Sequence, residues 1–236
     1  MHFLLLPVFL IAFTQDSNQA EKAFRAAEKK LAEADNAQIT VNATMKGGVS
    51  QFTMKGTLLL AKGNKARIDF NLDTPGGGFK FTSVSDGAKT KTEMAQGDKG
   101  GKESVRDTEK NANATFAGVT SRSGLLAGMI MVVGVGGPGK KQPELDDLVS
   151  VSDFMLGQKE KIGERQAQRI DYKLTVSAGP NNKETIKAQV WLDSETNLPL
   201  KRVLNGQKGD EKFEVTETYD IRLNGKIEAS KFELPK

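Results

Sequence analysis

Apolar and polar residues alternate one by one through most of this chain, and this alternation is the feature that most constrains its fold. Ile39, Val41, Ala43 and Met45, for example, are separated by single polar residues. A period of two places such residues on one face of a β-strand. The pattern recurs in ten or eleven segments, and turn sequences such as Gly63-Asn64 join them. The sequence therefore predicts strands paired as hairpins and excludes the strand–helix alternation of a parallel sheet.

One segment has the helical period instead. Between residues 20 and 35, Phe24, Ala27, Leu31 and Ala34 recur at helical spacing, with Lys and Glu residues on the other face. We therefore predict a mainly β (α+β) fold, in which a single, strongly curved antiparallel sheet of about 10–11 strands forms an incomplete β-barrel. The N-terminal helix and an apolar helical lid are expected on the concave side of that sheet.

The N-terminus has the features of an export signal. Residues 3–13 form an eleven-residue apolar run, which is shorter than the roughly 20 residues that a membrane-spanning helix needs. A polar sequence follows, and cleavage after Thr14 or after Ala20 would fit. We assign residues 1–19 to a signal peptide and residues 20–236 to a single domain, soluble and periplasmic or otherwise exported. The alternative is that the apolar run is a buried strand or helix of the folded protein.

Two neighbouring segments in the middle of the chain have opposite compositions. Residues 95–124 are rich in Gly, Lys, Glu, Asp, Asn and Ser, so a long, polar, flexible loop is expected there. Residues 125–139 begin with the most apolar run of the mature chain. We predict that this run is a lid over the open side of the sheet, although a permanently packed helix or strand fits the pattern equally well. The predicted lid residues are Leu125, Leu126, Met129, Ile130, Met131, Val132 and Val133.

Composition removes several classes of enzyme. The chain has no Cys, and its single His is His2, so a mature form has no thiol nucleophile, no His-based triad and no usual zinc ligands. A glycine-rich segment, Gly134 to Lys141, resembles a phosphate-binding loop, but Lys141 stands where a Ser or Thr would bind magnesium. We predict a non-enzymatic protein with no catalytic residues, metal or cofactor. A hydrolase that uses two carboxylates brought together by folding is the remaining enzymatic alternative.

Three stretches of the chain resemble the LolA-like periplasmic lipoprotein carriers. They are the apolar hairpin from Phe52 to Phe70, the turn Val84-Ser85-Asp86-Gly87, and a C-terminal run that begins with Trp191-Leu-Asp193 and Leu198-Pro199. The C-terminal run continues with Tyr219-Asp-Ile221, Asn224-Gly225-Lys226-Ile227 and Phe232-Glu-Leu234-Pro235. The order of helix, strands, insertion and strands over residues 20–236 is similar as well.

The resemblance implies an incomplete β-barrel closed on one side by helices, with a hydrophobic cavity that shields the acyl chains of lipoproteins. Two family features are replaced here. Lys62-Gly63-Asn64 stands where carriers have an Arg-Pro that helps to hold the lid shut, and Lys89 to Thr92 replace aromatic residues. The role of that Arg is therefore not transferred to this chain.

The same apolar strand faces that would line a cavity could instead be plain core, because both uses need the same pattern. We predict a carrier or chaperone for the acyl chains of a lipid or lipoprotein; the alternative is a periplasmic sensor or protein-interaction module without lipid cargo. The expected partners are the acyl chain and membrane-bound donor and acceptor proteins, with no nucleic acid, and the protein is expected to be a monomer. The candidate lining consists of Ile39, Val41, Phe52, Met54, Leu58, Leu60, Ile68, Phe70, Phe79, Phe81, Leu174, Val176, Val190, Phe213 and Val215.

Overall fold

The computed structural model describes residues 8–47, 51–97, 99–108, 112–125, 145–177 and 183–235. Within these residues the main element is one antiparallel sheet of eleven strands. The strands are β1 Asn36–Gly47, β2 Phe52–Ala61, β3 Lys65–Thr74, β4 Gly77–Asp86, β5 Lys89–Gln96, β6 Lys99–Asp107, β7 Val149–Ile162, β8 Arg165–Ser177, β9 Lys183–Asp193, β10 Pro199–Lys208 and β11 Glu211–Leu223. The helices are α1 Val8–Glu33, α2 Ala112–Ser123, α3 Leu145–Leu148 and a 3-10 helix, Ala229–Phe232.

The strand order is β6-β5-β4-β3-β2-β1-β11-β10-β9-β8-β7, so two meanders meet where β1 pairs with β11. Strands β6 and β7 lie at the two ends of this order, and the sheet is not closed into a barrel. The predicted fold class is therefore confirmed for the sheet and for the N-terminal helix. The chain crosses from one edge of the sheet to the other between β6 and β7, and α2 and α3 lie in this connection.

Two of the predicted turns have the expected form, whereas Gly157 and Gly206, where turns were also expected, lie inside β7 and β10. Gly63 and Asn64, in the three-residue connection between β2 and β3, have positive φ angles of 77° and 58°. Gly and Asn adopt this left-handed conformation more readily than other residues. At the next predicted turn, Asp86 Oδ1 accepts hydrogen bonds from the backbone N–H groups of Ala88 and Lys89 at 2.8 Å each.

Helix α1 begins before the predicted helix. It starts at Val8, directly after Pro7, and runs without interruption into the segment with helical spacing. Of its described side chains, which begin at Asp16, the first buried one is Ala20, followed by Phe24 and Ala27. Among the described side chains, the packing of α1 against the sheet therefore begins where we placed the beginning of the mature domain.

The expectation of a loop over residues 95–124 is wrong. Strand β6 and helix α2 occupy most of that range. Glu93 on β5 and Glu103 on β6 are opposite each other in the register, and Lys91 Nζ lies 3.2 Å from a carboxylate oxygen of each, which offsets their repulsion. Helix α2 buries Phe116 and Val119, which are three residues apart and reach the core from one face of the helix.

The two faces of the sheet carry different clusters. The inner face, defined as the face that packs against α1 and α2, holds the main apolar cluster. The outer face of the β8–β10 region holds a smaller cluster of Ala167, Trp191, Leu200 and Val203. Trp191 alternates with Val190 and Leu192, so its ring is on the outer face, where it packs in the smaller cluster.

Candidate functional site

All fifteen residues of the predicted lining lie in one apolar cluster on the inner face. Nine of them are buried: Ile39, Val41, Met54, Leu58, Ile68, Phe81, Leu174, Val190 and Val215. The other six are partly buried and pack against the rest: Phe52, Leu60, Phe70, Phe79, Val176 and Phe213. The structure thus places the predicted residues together, while the binding of a ligand by them stays a prediction.

Strand register arranges these residues in rows across the sheet. Val41 on β1 pairs with Gly56 on β2, which pairs with Phe70 on β3, which pairs with Phe81 on β4. The rings of Phe70 and Phe81 stack with centroids 4.8 Å apart. A Cβ atom at Gly56 would lie 3.0 Å from the Cβ of Phe70, so the glycine gives the aromatic ring its space. The row is continuous and apolar over four strands.

Of the predicted lid, only Leu125 is described. It follows α2 directly and is fully buried in the same cluster as the lining. Leu126, Met129, Ile130, Met131, Val132 and Val133 lie outside the described residues. The lid therefore stays a prediction. The glycine-rich segment from Gly134 to Lys141 also lies outside the described residues.

Two clefts flank the last turn of α1 and reach the inner face. The first, of about 440 Å³, lies between α1, α2 and the β2–β3 hairpin. It is lined by Leu31, Ala32, Ala37, Leu60, Ala117 and polar residues at its rim. The second, of about 500 Å³, lies between α1, the β9–β10 turn and the end of β11, where Leu198, Ile221 and Leu223 line it. Ala34 lines both clefts, which have the size range of ligand sites.

A charged pair lies in the middle of the apolar inner face. Arg202 on β10 and Glu217 on β11 are directly opposite each other in the strand register. Their exposed fractions are 1% and 0%. Tyr219 donates a hydrogen bond to Glu217 Oε2, and Tyr172 on β8 is buried nearby. We call Arg202, Glu217, Tyr172 and Tyr219 the polar cluster.

The polar cluster binds the C-terminal end of α2. Arg202 Nη1 and Nη2 donate to the carbonyl oxygens of Thr120 and Ser121 at 3.0 and 2.6 Å. Tyr172 Oη donates to the carbonyl of Arg122 at 2.8 Å. The last carbonyls of a helix have no partner within the helix and favour a nearby positive charge. Side chains of the sheet therefore cap this helix.

Glu217 binds the backbone directly after α2. Its Oε2 accepts the backbone N–H of Leu125 at 3.0 Å. Gly124, which precedes Leu125, has a φ angle of 90°, and a Cβ there would lie 2.3 Å from Glu217 Oε2. Only glycine combines this backbone conformation with so close a carboxylate. The position of Leu125 is thus fixed relative to the inner face.

Burial and neighbouring charges shift the titration of the polar cluster. Burial raises the pKa of Tyr172 to about 12, and the Glu217 carboxylate contributes in the same direction. Burial and Glu217 also raise the pKa of Tyr219 well above its ordinary value. Burial alone would lower the pKa of Arg202, but Tyr172, Tyr219 and Glu217 raise it overall. Both tyrosines are therefore neutral and Arg202 is charged at neutral pH.

The sequence analysis missed this cluster, although the alternation contains a signal for it. Arg202 is in phase with Leu204, and Glu217 is in phase with Val215 and Tyr219. A charged residue at an inward-facing position of a strand is rare unless it has a partner. Two such residues on consecutive strands could therefore have been identified as a buried pair.

Further polar contacts fix the helices to each other. Arg122 Nε donates to Glu28 on α1 at 2.6 Å, and Arg122 Nη1 donates to the carbonyl of Val149 on β7 at 2.9 Å. At the other end of α2, the amide of Asn113 donates to the carbonyls of Ala61 and Lys65 at 2.9 Å each. This amide ties α2 to the β2–β3 hairpin, the turn at which the carriers have Arg-Pro.

Other kinds of site are not seen in the described part of the chain. Across those residues, no group of three or more Asp, Glu, His or Cys side chains has an arrangement that could hold a metal ion. None of the described helices has the length and apolar character needed to cross a membrane.

Comparison with known proteins shows a similarity of fold to solved structures. No protein-family model matches the sequence, and no curated protein is significantly similar to it. Among solved structures, LprF from Mycobacterium bovis aligns over 86% of this chain and 93% of its own, with a TM-score of 0.50 and 8% identity. The lipoprotein LppX from Mycobacterium tuberculosis aligns over 90% of this chain and 98% of its own, with a TM-score of 0.48 and 14% identity.

A third structure, NE2245 from Nitrosomonas europaea, is described as a LolA superfamily protein. It aligns over 91% of this chain and 97% of its own, with a TM-score of 0.29 and 10% identity. At 8% identity the likeness to LprF is one of fold alone, and the chain shares that fold.

Proposed function

We propose that this protein is an exported, non-enzymatic carrier that holds an acyl chain of a lipid or lipoprotein against its inner face. The observation that carries the proposal is the continuous apolar face of the sheet, which two clefts beside α1 reach from outside. An acyl chain needs no polar chemistry for binding, which suits a chain without Cys and with a single His at position 2.

The energy available from such burial is large. Each CH₂ group moved from water to an apolar site contributes about 0.8 kcal/mol, so a long acyl chain gains roughly 10 kcal/mol before ordering costs. The side chains and helices of the protein itself bury much of the inner face, so an acyl chain has to displace some of them. The clefts on both sides of α1 are the places where this displacement costs least, because they are already open.

Export fits the packing of α1. Removal of residues 1–19 would leave Ala20, Phe24 and Ala27 in place, and the described side chains from Asp16 to Gln19 are exposed. Cleavage of a signal peptide would therefore leave the contacts of α1 with the sheet intact. A carrier of this kind would act as a monomer between a membrane-bound donor and a membrane-bound acceptor.

Native mass spectrometry of the mature protein, purified from the compartment to which it is exported, tests the proposal. We expect an added mass that extracts into organic solvent as a lipid or an acylated peptide. A protein that carries no such mass and fails to take up a fluorescent fatty acid would contradict the carrier function. That result would favour the sheet as a module for protein contacts.

Filling the clefts should block uptake without disturbing the fold. Ala34→Trp places an indole ring where both clefts meet α1, so we expect uptake of a fluorescent fatty acid to weaken at least about ten-fold. Ala26→Trp is the matched control, because Ala26 is an exposed residue of α1, the helix that Ala34 directly follows, and it lines neither cleft. Equal uptake by both variants, with equal circular dichroism, would show that acyl chains do not pass beside α1.

A further inference from the structure

Two polar atoms beside the polar cluster are buried and lack a hydrogen-bond partner among the described residues. They are Nε of Arg202 and Oγ1 of Thr120. The exposed fractions of the whole residues Arg202 and Thr120 are 1% and 8%. A buried donor without a partner is costly, and native proteins satisfy nearly all such groups. The position therefore points to a partner outside the described residues.

The chemistry of the two atoms defines that partner. Arg202 and Thr120 are neighbours, because Arg202 Nη1 donates to the Thr120 carbonyl at 3.0 Å. The guanidinium Nε–H only donates and the Thr hydroxyl can donate, so the partner must offer an acceptor oxygen. Glu217 lies opposite Arg202 and balances its charge, so a neutral acceptor fits better than an anion.

The surroundings of Arg202 define what is attached to this oxygen. In the strand register, its neighbour on β9 is Val190, and the next inward residue on β10 is Leu204, which pairs with Val215. These three residues are buried in the apolar cluster. An oxygen bound at Arg202 would therefore have an apolar path beside it along the inner face.

We propose that Arg202 Nε and Thr120 Oγ1 bind the carbonyl oxygen at the head of an acyl chain, in an ester or an amide, while the chain lies on the inner face. The proposal rests on the proposed carrier function and adds its polar anchor. It assigns a selective role to residues that a purely apolar lining would not need, and it places the head of the cargo at the C-terminal end of α2.

Displacement of the neutral fluorescent probe N-phenyl-1-naphthylamine by four ligands tests this. The ligands are dodecane, methyl laurate, N-methyl lauramide and laurate, which share a chain length and differ in the head. With two hydrogen bonds to the carbonyl, methyl laurate and N-methyl lauramide should displace the probe at roughly ten-fold lower concentration than dodecane. Laurate tests whether an anion is preferred, and the pair of ester and amide distinguishes a lipid head from an N-acyl head.

Thr120→Val is the variant of choice, because it keeps the shape of the side chain and removes a hydroxyl that has no partner in the described structure. It should fold normally and reduce the preference for the ester over dodecane about three-fold. Thr216→Val, the same change on the outer face of β11, should leave the preference unchanged. The double variant Arg202→Met with Glu217→Leu should abolish the preference for the ester over dodecane.

The possible results separate the carbonyl site from the carrier function on which it rests. If dodecane and the ester displace the probe equally well, or if Thr120→Val changes nothing, the carbonyl site is refuted and a buried water is the partner of Arg202 and Thr120. The carrier function survives that result. If no ligand displaces the probe and the probe itself does not bind, both the carrier function and its polar anchor are refuted.

Discussion

Glu217→Leu should lower the free energy of unfolding by about 3–5 kcal/mol, because it leaves the Arg202 charge buried without its balancing carboxylate. It also removes the acceptor for the Leu125 N–H and for the Tyr219 hydroxyl. Arg202→Met should cost a similar amount, since Glu217 would then be the unbalanced charge and two carbonyls of α2 would lose their donors. Urea unfolding followed by circular dichroism measures both values.

The double variant Arg202→Met with Glu217→Leu should lose less stability than the sum of the losses from the two single changes. An apolar pair of similar volume replaces both charges, although the backbone groups of α2 and Leu125 and the Tyr219 hydroxyl lose these partners. We expect a coupling energy of about 3 kcal/mol in the double-mutant cycle. Additive losses would show that the two residues do not act as a pair.

The exposed ion pair between Arg222 and Asp220 provides the control for this cycle. Both residues lie on β11, and their side chains are 71% and 56% exposed, with 3.1 Å between Nη2 and Oδ2. Pairs of this kind contribute little because water screens them. Arg222→Met and Asp220→Leu should each change stability by less than about 1 kcal/mol and show almost no coupling.

Two opposite charges buried in an apolar face stabilise a protein no better than apolar residues would. Replacement of a buried ion pair by apolar residues is often neutral or favourable, so its presence suggests a requirement other than stability. In this fold the requirement is the position of α2, whose last carbonyls and following N–H are bound by Arg202, Tyr172 and Glu217. Helix α2 packs on the inner face through Phe116 and Val119, so its attachment affects how far the lining is covered.

Most of the sheet could be predicted from the sequence, because its signal is local. The alternation at Ile39, Val41 and Met45 and the turn at Gly63-Asn64 each lie within a few residues, and both have the predicted structure. Helix α2 could not be predicted in this way. Its sequence is polar with only Phe116 and Val119 to bury, and its stability comes from contacts with the sheet rather than from its own composition.

The candidate site could be predicted only in its apolar part. The fifteen lining residues are in phase on their strands, so the sequence indicates that they share a face. The partners of Arg202 and Glu217 are Thr120, Ser121 and Leu125, which are about 80 to 90 residues away in sequence. Only the crossing of the chain from β6 to β7 over the inner face brings them together, and no local pattern encodes that contact.

The second large effect is a loss of stability in alkaline solution. Tyr219 should contribute to this loss in the same direction as Tyr172, and the pKa of Tyr172 gives the size of its own share. Tyr172 is buried, donates to the Arg122 carbonyl at 2.8 Å, and has its pKa raised to about 12 from 10.0. Below pH 10 the side chain is neutral in both the folded and the unfolded chain, and its full contribution to stability is present. Between pH 10 and about pH 12 the unfolded chain releases the proton and the folded chain keeps it, so stability falls. A shift of this size corresponds to a loss on the order of 3 kcal/mol.

The titration of Tyr172 can be followed directly, because the chain contains only two tyrosines, Tyr172 and Tyr219. In Tyr219→Phe, the tyrosinate absorbance reports Tyr172 alone, and its rise should come well above pH 10 in the folded protein and at about pH 10 in urea. Urea midpoints of this variant should fall steeply from about pH 10 upward, whereas Tyr172→Phe should retain only the share that Tyr219 contributes in the same direction. Titration of Tyr172 near pH 10 in the folded protein would mean that its hydroxyl is open to water, and that α2 is not held on the inner face as described.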